Sequence, residues 1–242
     1  MKKRYIYIVI TFISMHLSTY IGFPLLLLIG TKVFHADLND MKVLAAGLWV
    51  VISFSVGLAI VLLLLKKATP YTKIEKSKPL SASSSINWAI GGIFLAFISQ
   101  IAAVLVEQVL GIEAGSQNTQ NIMNLIRVVP MVVIASSILG PILEEIVFRK
   151  VIFGTLYNRF PFWVSALISA LIFSLAHQEP KHLIIYAAMG FTFSFLYVKT
   201  GRIIVPIISH VAMNTIVTIG QFKLPTNQEV VGLLHSWMGG LF

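Results

Sequence analysis

Apolar residues in this chain come in long runs, at 5–30, 43–65, 88–110, 125–142 and on toward 157, 162–176, 183–198 and 203–222. Several approach the roughly 20 residues that an α-helix needs to cross about 30 Å of hydrocarbon. The pattern predicts an all-α fold, a polytopic transmembrane helical bundle with seven spans. The run 230–242 is short for a crossing and offers either an eighth span or a segment lying on the membrane surface. The longest polar stretches are 66–87, a basic Ser/Pro-rich loop expected on the cytoplasmic side, and 111–121; neither is long enough to fold alone. With no internal repeat or low-complexity tract, the expectation is one integral-membrane domain over 1–242, with the chemistry-bearing core at about 123–222.

Composition agrees, since 57% hydrophobic and 11% charged residues lie outside what a soluble domain of 242 residues tolerates on its surface. The net charge of +9 raises the question of nucleic acid, and the distribution of the basic residues answers against it. With seven spans threaded alternately, Lys2, Lys3, Arg4, Lys66, Lys67, Lys73, Lys76, Lys78, Arg159, Lys199 and Arg202 fall on one side. Lys32, Lys42, Arg127, Lys181 and Lys223 fall on the other, among Asp37, Asp40, Glu113, Glu179 and Glu229. That surplus places the N-terminus in the cytoplasm. The start "MKKRYIYIVI" is similar to a signal peptide, but its apolar run is too long and lacks a small-residue cleavage site, so it reads as a retained first span. Small size, short loops and no targeting extension suit a multi-pass protein of a bacterial plasma membrane. The absence of cysteine excludes disulfides, thiol catalysis and Cys-based zinc sites.

Ionisable groups inside spans are costly and are functional candidates by default. Of nine acids, only Glu107, Glu144 and Glu145 lie in or beside apolar runs, and Glu107, near a span end, is expected to reach the interface. His16, His177 and His210 have apolar settings, while His35, His182 and His235 read as loop or end residues. His16 lacks polar companions at helical spacing and reads as a packed or interfacial histidine. His177 follows Phe173 by four, and His210 precedes Asn214 by four, which puts each pair on one helix face. Alone, the second pair is better explained by an interhelical hydrogen bond than by chemistry. Glu145 and Arg149, again four apart, read as a structural ion pair. Glu144, turned about 100° from Glu145 on an α-helix, then needs its own partner, and a desolvated carboxylate there suits the activation of water.

Depth supplies a test. Counted from a turn near 159–161, Glu144 and His177 both lie roughly 24 Å up, at about 1.5 Å per residue. From the turn at 199–202, His210 and Asn214 lie roughly 12 and 18 Å up, within reach given span tilts of about 20°. A cluster inside the bundle is expected. Pro141, after Gly140, frees the carbonyl of Ser137 and either kinks the helix to admit water or serves packing alone; Pro206 poses the same choice.

"EEIVFR", "FSLAH" and "HVAMN" resemble the three ordered motifs of the CAAX-protease and bacteriocin-processing family of intramembrane proteases, here in its bacterial Abi type. The resemblance covers about 140–215. It implies a helical membrane endopeptidase in which Glu144 is the general base for the attacking water and His177 its partner in holding or protonating that water. His210 and Asn214 would polarise the carbonyl and stabilise the oxyanion, and Glu145 and Arg149, with Phe173, would support the first glutamate. No cofactor is strictly implied. A zinc ion on Glu144, His177 and His210 is compatible with the same residues, although asparagine is an uncommon zinc ligand. The implied partners are membrane lipid and a membrane-associated peptide or protein substrate, such as a bacteriocin or signalling-peptide precursor.

Other protease designs fit less well. The chain has no HExxH, "HQEPKH" has the wrong spacing for two ligands on one helical face, there is no Gly-Asp pair, and no serine sits on a recognisable elbow. Two different classes stay open: a noncatalytic membrane partner in peptide immunity or signalling, and a proton-coupled transporter, which the lack of a repeat disfavours.

Overall fold

The computed structural model describes residues 3–113 and 115–223, so the segment 230–242, with His235 and the question of an eighth span, lies outside the described residues. In chain order the helices are α1 Lys3–Leu17, α2 Thr19–Lys32, α3 Leu38–Lys66, α4 Lys73–Lys76, α5 Ala82–Val109, α6 Gln117–Val128, α7 Val132–Ile134, α8 Gly140–Glu144, α9 Gly154–Tyr157, α10 Phe162–Ala176, α11 Leu183–Thr200 and α12 Ile204–Lys223. Two π-helical segments, Ala135–Leu139 and Glu145–Phe153, flank α8, and a 3-10 turn, Pro180–His182, precedes α11. No strand occurs among the described residues.

Among the described residues, five helical stretches are long and apolar enough to cross a membrane: Lys3–Lys32, Leu38–Lys66, Ala82–Val109, Pro180–Thr200 and Ile204–Phe222. The protein is a multi-pass membrane protein. The other two expected spans differ in form. α10 has 15 residues, and the run from 125 onward is divided among α6, α7, α8, α9 and the π segments instead of forming one rod. Pro130 and Pro141 each lack an amide to donate, and Gly140 reaches back five residues to the Ala135 carbonyl, so the wider π turn lies where an α-helix would be interrupted.

The chain separates into two compact units. The first holds residues up to 68 and 120–143. There α1 buries Tyr5, Ile8, Phe12 and Met15, a stripe at three- and four-residue spacing, and leaves Ile6, Ile10 and Ile13 on the outside, where hydrocarbon suits them. His16 sits edge-on to Phe12 and Phe54, with ring centroids 4.7 and 5.7 Å away. Asp37 starts α3 by accepting the amides of Asn39 and Asp40.

The second unit holds residues 69–119 and everything from 144 onward. α11 is buried on most of its circumference and packs against α5 and α10. Small residues allow the close approach: a Cβ at Gly190 would stand 2.6 Å from that of Ala170. Ser209 on α12 donates to the Ala89 carbonyl of α5 at 2.9 Å. The loop expected at 66–87 is more ordered than its composition suggests. Thr72 and Glu75 form a capping box for α4, Glu75 pairs with Lys150, and Ile74 is buried with Phe153, Ala166 and Tyr197. Pro206 occupies the first turn of α12, where an amide has no helical acceptor to lose, so it neither kinks that helix nor opens it.

Candidate active site

Glu144 and Glu145 stand at the junction of α8 and the second π segment, and the junction sends them different ways. Glu145 is fully buried and Glu144 is 19% exposed. One Glu145 oxygen, Oε1, faces Arg149 at 3.3 Å and accepts a 2.9 Å bond from His210 Nδ1. The buried guanidinium of Arg149 also lies over the ring of Phe173, 4.2 Å from its centroid, and 5.3 Å from that of Phe193. A carboxylate and two aromatic faces offset the cost of burying that charge.

The two histidines come from helices held against α11. His177 caps the C-terminus of α10, and its Nδ1 lies 2.8 Å from the carbonyl of Phe173. A carbonyl only accepts, so Nδ1 carries the proton and neutral His177 keeps a lone pair on Nε2. His210 is stacked on Phe193, 4.6 Å between centroids and 19° from parallel, and its Nδ1–H is held by Glu145. Both Nε2 atoms therefore face Glu144, His177 at 3.9 Å from Oε1 and His210 at 3.8 Å from Oε2. These separations exceed a direct hydrogen bond, which ends near 3.2 Å, and suit groups that share an intervening water.

Of the residues singled out from the sequence, Glu144, His177 and His210 come together, with Glu145, Arg149 and Phe173 packed behind them. Asn214 lies one turn beyond His210 on α12, 2% exposed, and its Oδ1 has no hydrogen-bond partner among the described residues. Glu145 does more than neutralise Arg149, because it also holds Nδ1 of His210 and so orients that ring. Tyr186 and Phe193, which face the two imidazoles, were not signalled by the motifs. An aromatic at i in one span and a histidine 9 or 17 residues away in another carry no shared period.

Glu107 differs from expectation. It is 2% exposed instead of reaching the interface, bonding His182 Nδ1 at 2.8 Å and the amides of Ile184 and Ile185 at 3.1 and 3.2 Å. A carboxylate at the N-terminus of α11 is stabilised by the unpaired amides and by the helix dipole. His182, read as a loop residue, is buried as its partner.

The spacing of the donors bears on a metal. Among the described residues no group of three or more His, Asp or Glu side chains is disposed to hold a metal ion. Ligands on a tetrahedral zinc with bonds of about 2.0–2.1 Å stand roughly 3.3 Å apart, and the two distances from Glu144 to the imidazoles are wider. As placed, the three side chains do not form a metal site.

Residues 127–216 match the family described as type II CAAX prenyl endopeptidase, Rce1-like. Over its full length the chain is 45% identical to the full length of a Bacillus subtilis (strain 168) protein named "Putative membrane peptidase YdiL". The chain belongs to the Rce1-like CAAX protease family. Over 173 residues, 69% of this chain and 70% of the relative, it is 39% identical to "Membrane-embedded CAAX protease MroQ" of Staphylococcus aureus (strain USA300). No solved structure matches the chain. This CAAX protease-like chain is thus a membrane protease, and the matched region contains every residue of the cluster from Glu144 to Asn214.

Proposed function

We propose that the protein is an intramembrane endopeptidase that hydrolyses membrane-associated peptides or proteins with water activated by Glu144. The observation that carries this reading is the approach of two imidazole Nε2 atoms to separate oxygens of one partly exposed carboxylate, at 3.8 and 3.9 Å. With both Nδ1 atoms committed as donors, the two Nε2 atoms and the two Glu144 oxygens face the space that a water would share. This reading places a proton on His210 Nε2, with the opposite nitrogen, Nδ1, held by Glu145 at 2.9 Å.

The chemistry follows from that assignment. Water between Glu144 and His177 gives a proton to Glu144 as its oxygen bonds the scissile carbonyl carbon. His210 Nε2–H and the amide of Asn214 donate to the oxygen that becomes negative. Collapse of the tetrahedral species breaks the C–N bond, and the leaving nitrogen takes the proton from Glu144. No step runs through a metal. The substrate class we propose is a peptide precursor held at the membrane, with the N-terminus of the protease cytoplasmic.

The test is purified protein in detergent against lipidated and unlipidated peptides, with products identified by mass. Cleavage of an internal peptide bond by wild type, lost in His177→Ala and His210→Ala that remain folded, is the expected result. A wild type that cuts none of them while a folded Glu144→Gln variant still supports the cellular phenotype would place the protein among noncatalytic partners.

A further inference from the structure

We propose that Tyr186 and Glu179 are positioning residues for His177, acting through a tilted ring-on-ring contact; this rests on the peptidase reading above. His177 lies just past the last residue of α10, where the helix no longer fixes its side chain, and the next residue, Gln178, has a left-handed backbone with φ of 57°. Its bond to the Phe173 carbonyl selects the tautomer, yet a single hydrogen bond leaves the ring free to swing about it. The faces of the ring supply the missing constraint. Phe173 meets it edge-on and Tyr186 covers it at a tilt of 33°, each with a centroid 4.3 Å away.

Tyr186 is itself fixed at both ends. Its backbone belongs to the first turn of α11, whose amides at Ile184 and Ile185 are held by Glu107. Its phenol donates to Glu179 Oε2 at 2.8 Å. Glu179 in turn accepts the Ser116 hydroxyl at 2.7 Å on Oε2 and the Asn118 amide at 3.0 Å on Oε1, so neither carboxylate oxygen is free to rotate away. A line of contacts thus runs from residues 116–118 through Glu179 and Tyr186 to the imidazole that faces Glu144. Neither Tyr186 nor Glu179 touches the reacting atoms in this arrangement.

A misplacement of about 1 Å in a catalytic group can cost on the order of 100-fold in rate. Tyr186→Ala is therefore expected to lower kcat by about 10–100-fold with KM changed less than about threefold. Tyr186→Phe keeps the ring contact and loses the bond to Glu179, and its kcat should recover to within about tenfold of wild type. Glu179→Ala should resemble Tyr186→Phe. Because Tyr186→Ala opens space and can weaken folding, the better-packed Tyr186→Phe is read beside it, together with the nitrogen NMR of 15N-histidine-labelled protein, the His177 signals assigned through His177→Ala. Wild type and Tyr186→Phe should show one Nδ1–H tautomer for His177, and Tyr186→Ala an averaged or doubled pattern. The spectrum needs no substrate, so a wild type that cleaves nothing overturns the peptidase reading while the NMR result still decides the positioning. Unchanged His177 signals in Tyr186→Ala, or a kcat within twofold of wild type in the folded protein, overturn the proposal.

Discussion

At the residue scale, two adjacent glutamates behave as different groups because one is sealed and the other is not. Glu145, at 0% exposure, divides one oxygen between Arg149 and His210. Replacing it with Gln keeps an acceptor for His210 Nδ1 but removes the carboxylate that also faces Arg149. We expect Glu145→Gln to lower kcat by about 10–100-fold, as changes to groups behind a catalytic side chain commonly do. A steady-state assay on folded protein checks this, and an unchanged kcat would reduce Glu145 to a counter-ion for Arg149. Glu107 touches none of the reacting groups and is partnered with His182 and the start of α11. Glu107→Ala leaves His182 and two α11 amides without their acceptor and should cost about 2–4 kcal/mol, read as a lower melting temperature in detergent. The i, i+4 pair of Glu145 with Arg149 is readable from spacing, because both lie on one segment. The Glu107–His182 bond is not, since 75 residues separate its members and no local pattern reports which span ends meet.

At the element scale, hydropathy locates the five long helices because continuous apolar runs are what bilayer thickness demands. It does not foresee the division of 125–157 into short helices and π turns, for apolar residues tolerate either backbone equally. The signal that is present is Pro130 with Gly140 and Pro141, three positions that disfavour an unbroken α-helix. The contact of α10 with α11 decides whether His177 meets the rest of the site. Gly190 allows it, standing against Ala170 with no room for a Cβ. Gly190→Val should separate the two helices, costing about 1–3 kcal/mol in stability and most of the peptidase activity. Retention of both, measured by thermal melting and turnover, would show that this contact is looser than described.

At the scale of the whole molecule, a cysteine-free multi-pass chain lends itself to topology mapping. A single cysteine introduced at Ser83, beside the basic stretch that precedes α5, should be labelled by an impermeant maleimide only after the cell membrane is opened, if the N-terminus is cytoplasmic. Labelling in intact cells would reverse the orientation. Peptidase activity should also survive exhaustive chelation, with the metal content of the preparation measured alongside, because the Glu144, His177 and His210 spacing is too wide for a common ion. Loss of activity on chelation, restored by zinc, would require those side chains to close in.

The central claim is that Glu144 activates the attacking water, and the most direct measurement is single-turnover cleavage of a membrane-tethered peptide by wild type and Glu144→Gln at matched folded concentration. Glutamine is nearly isosteric and accepts a hydrogen bond, but it cannot take the proton of water. The account predicts a rate lowered by about 100- to 10,000-fold with binding retained. A Glu144→Gln rate within a few-fold of wild type would contradict it.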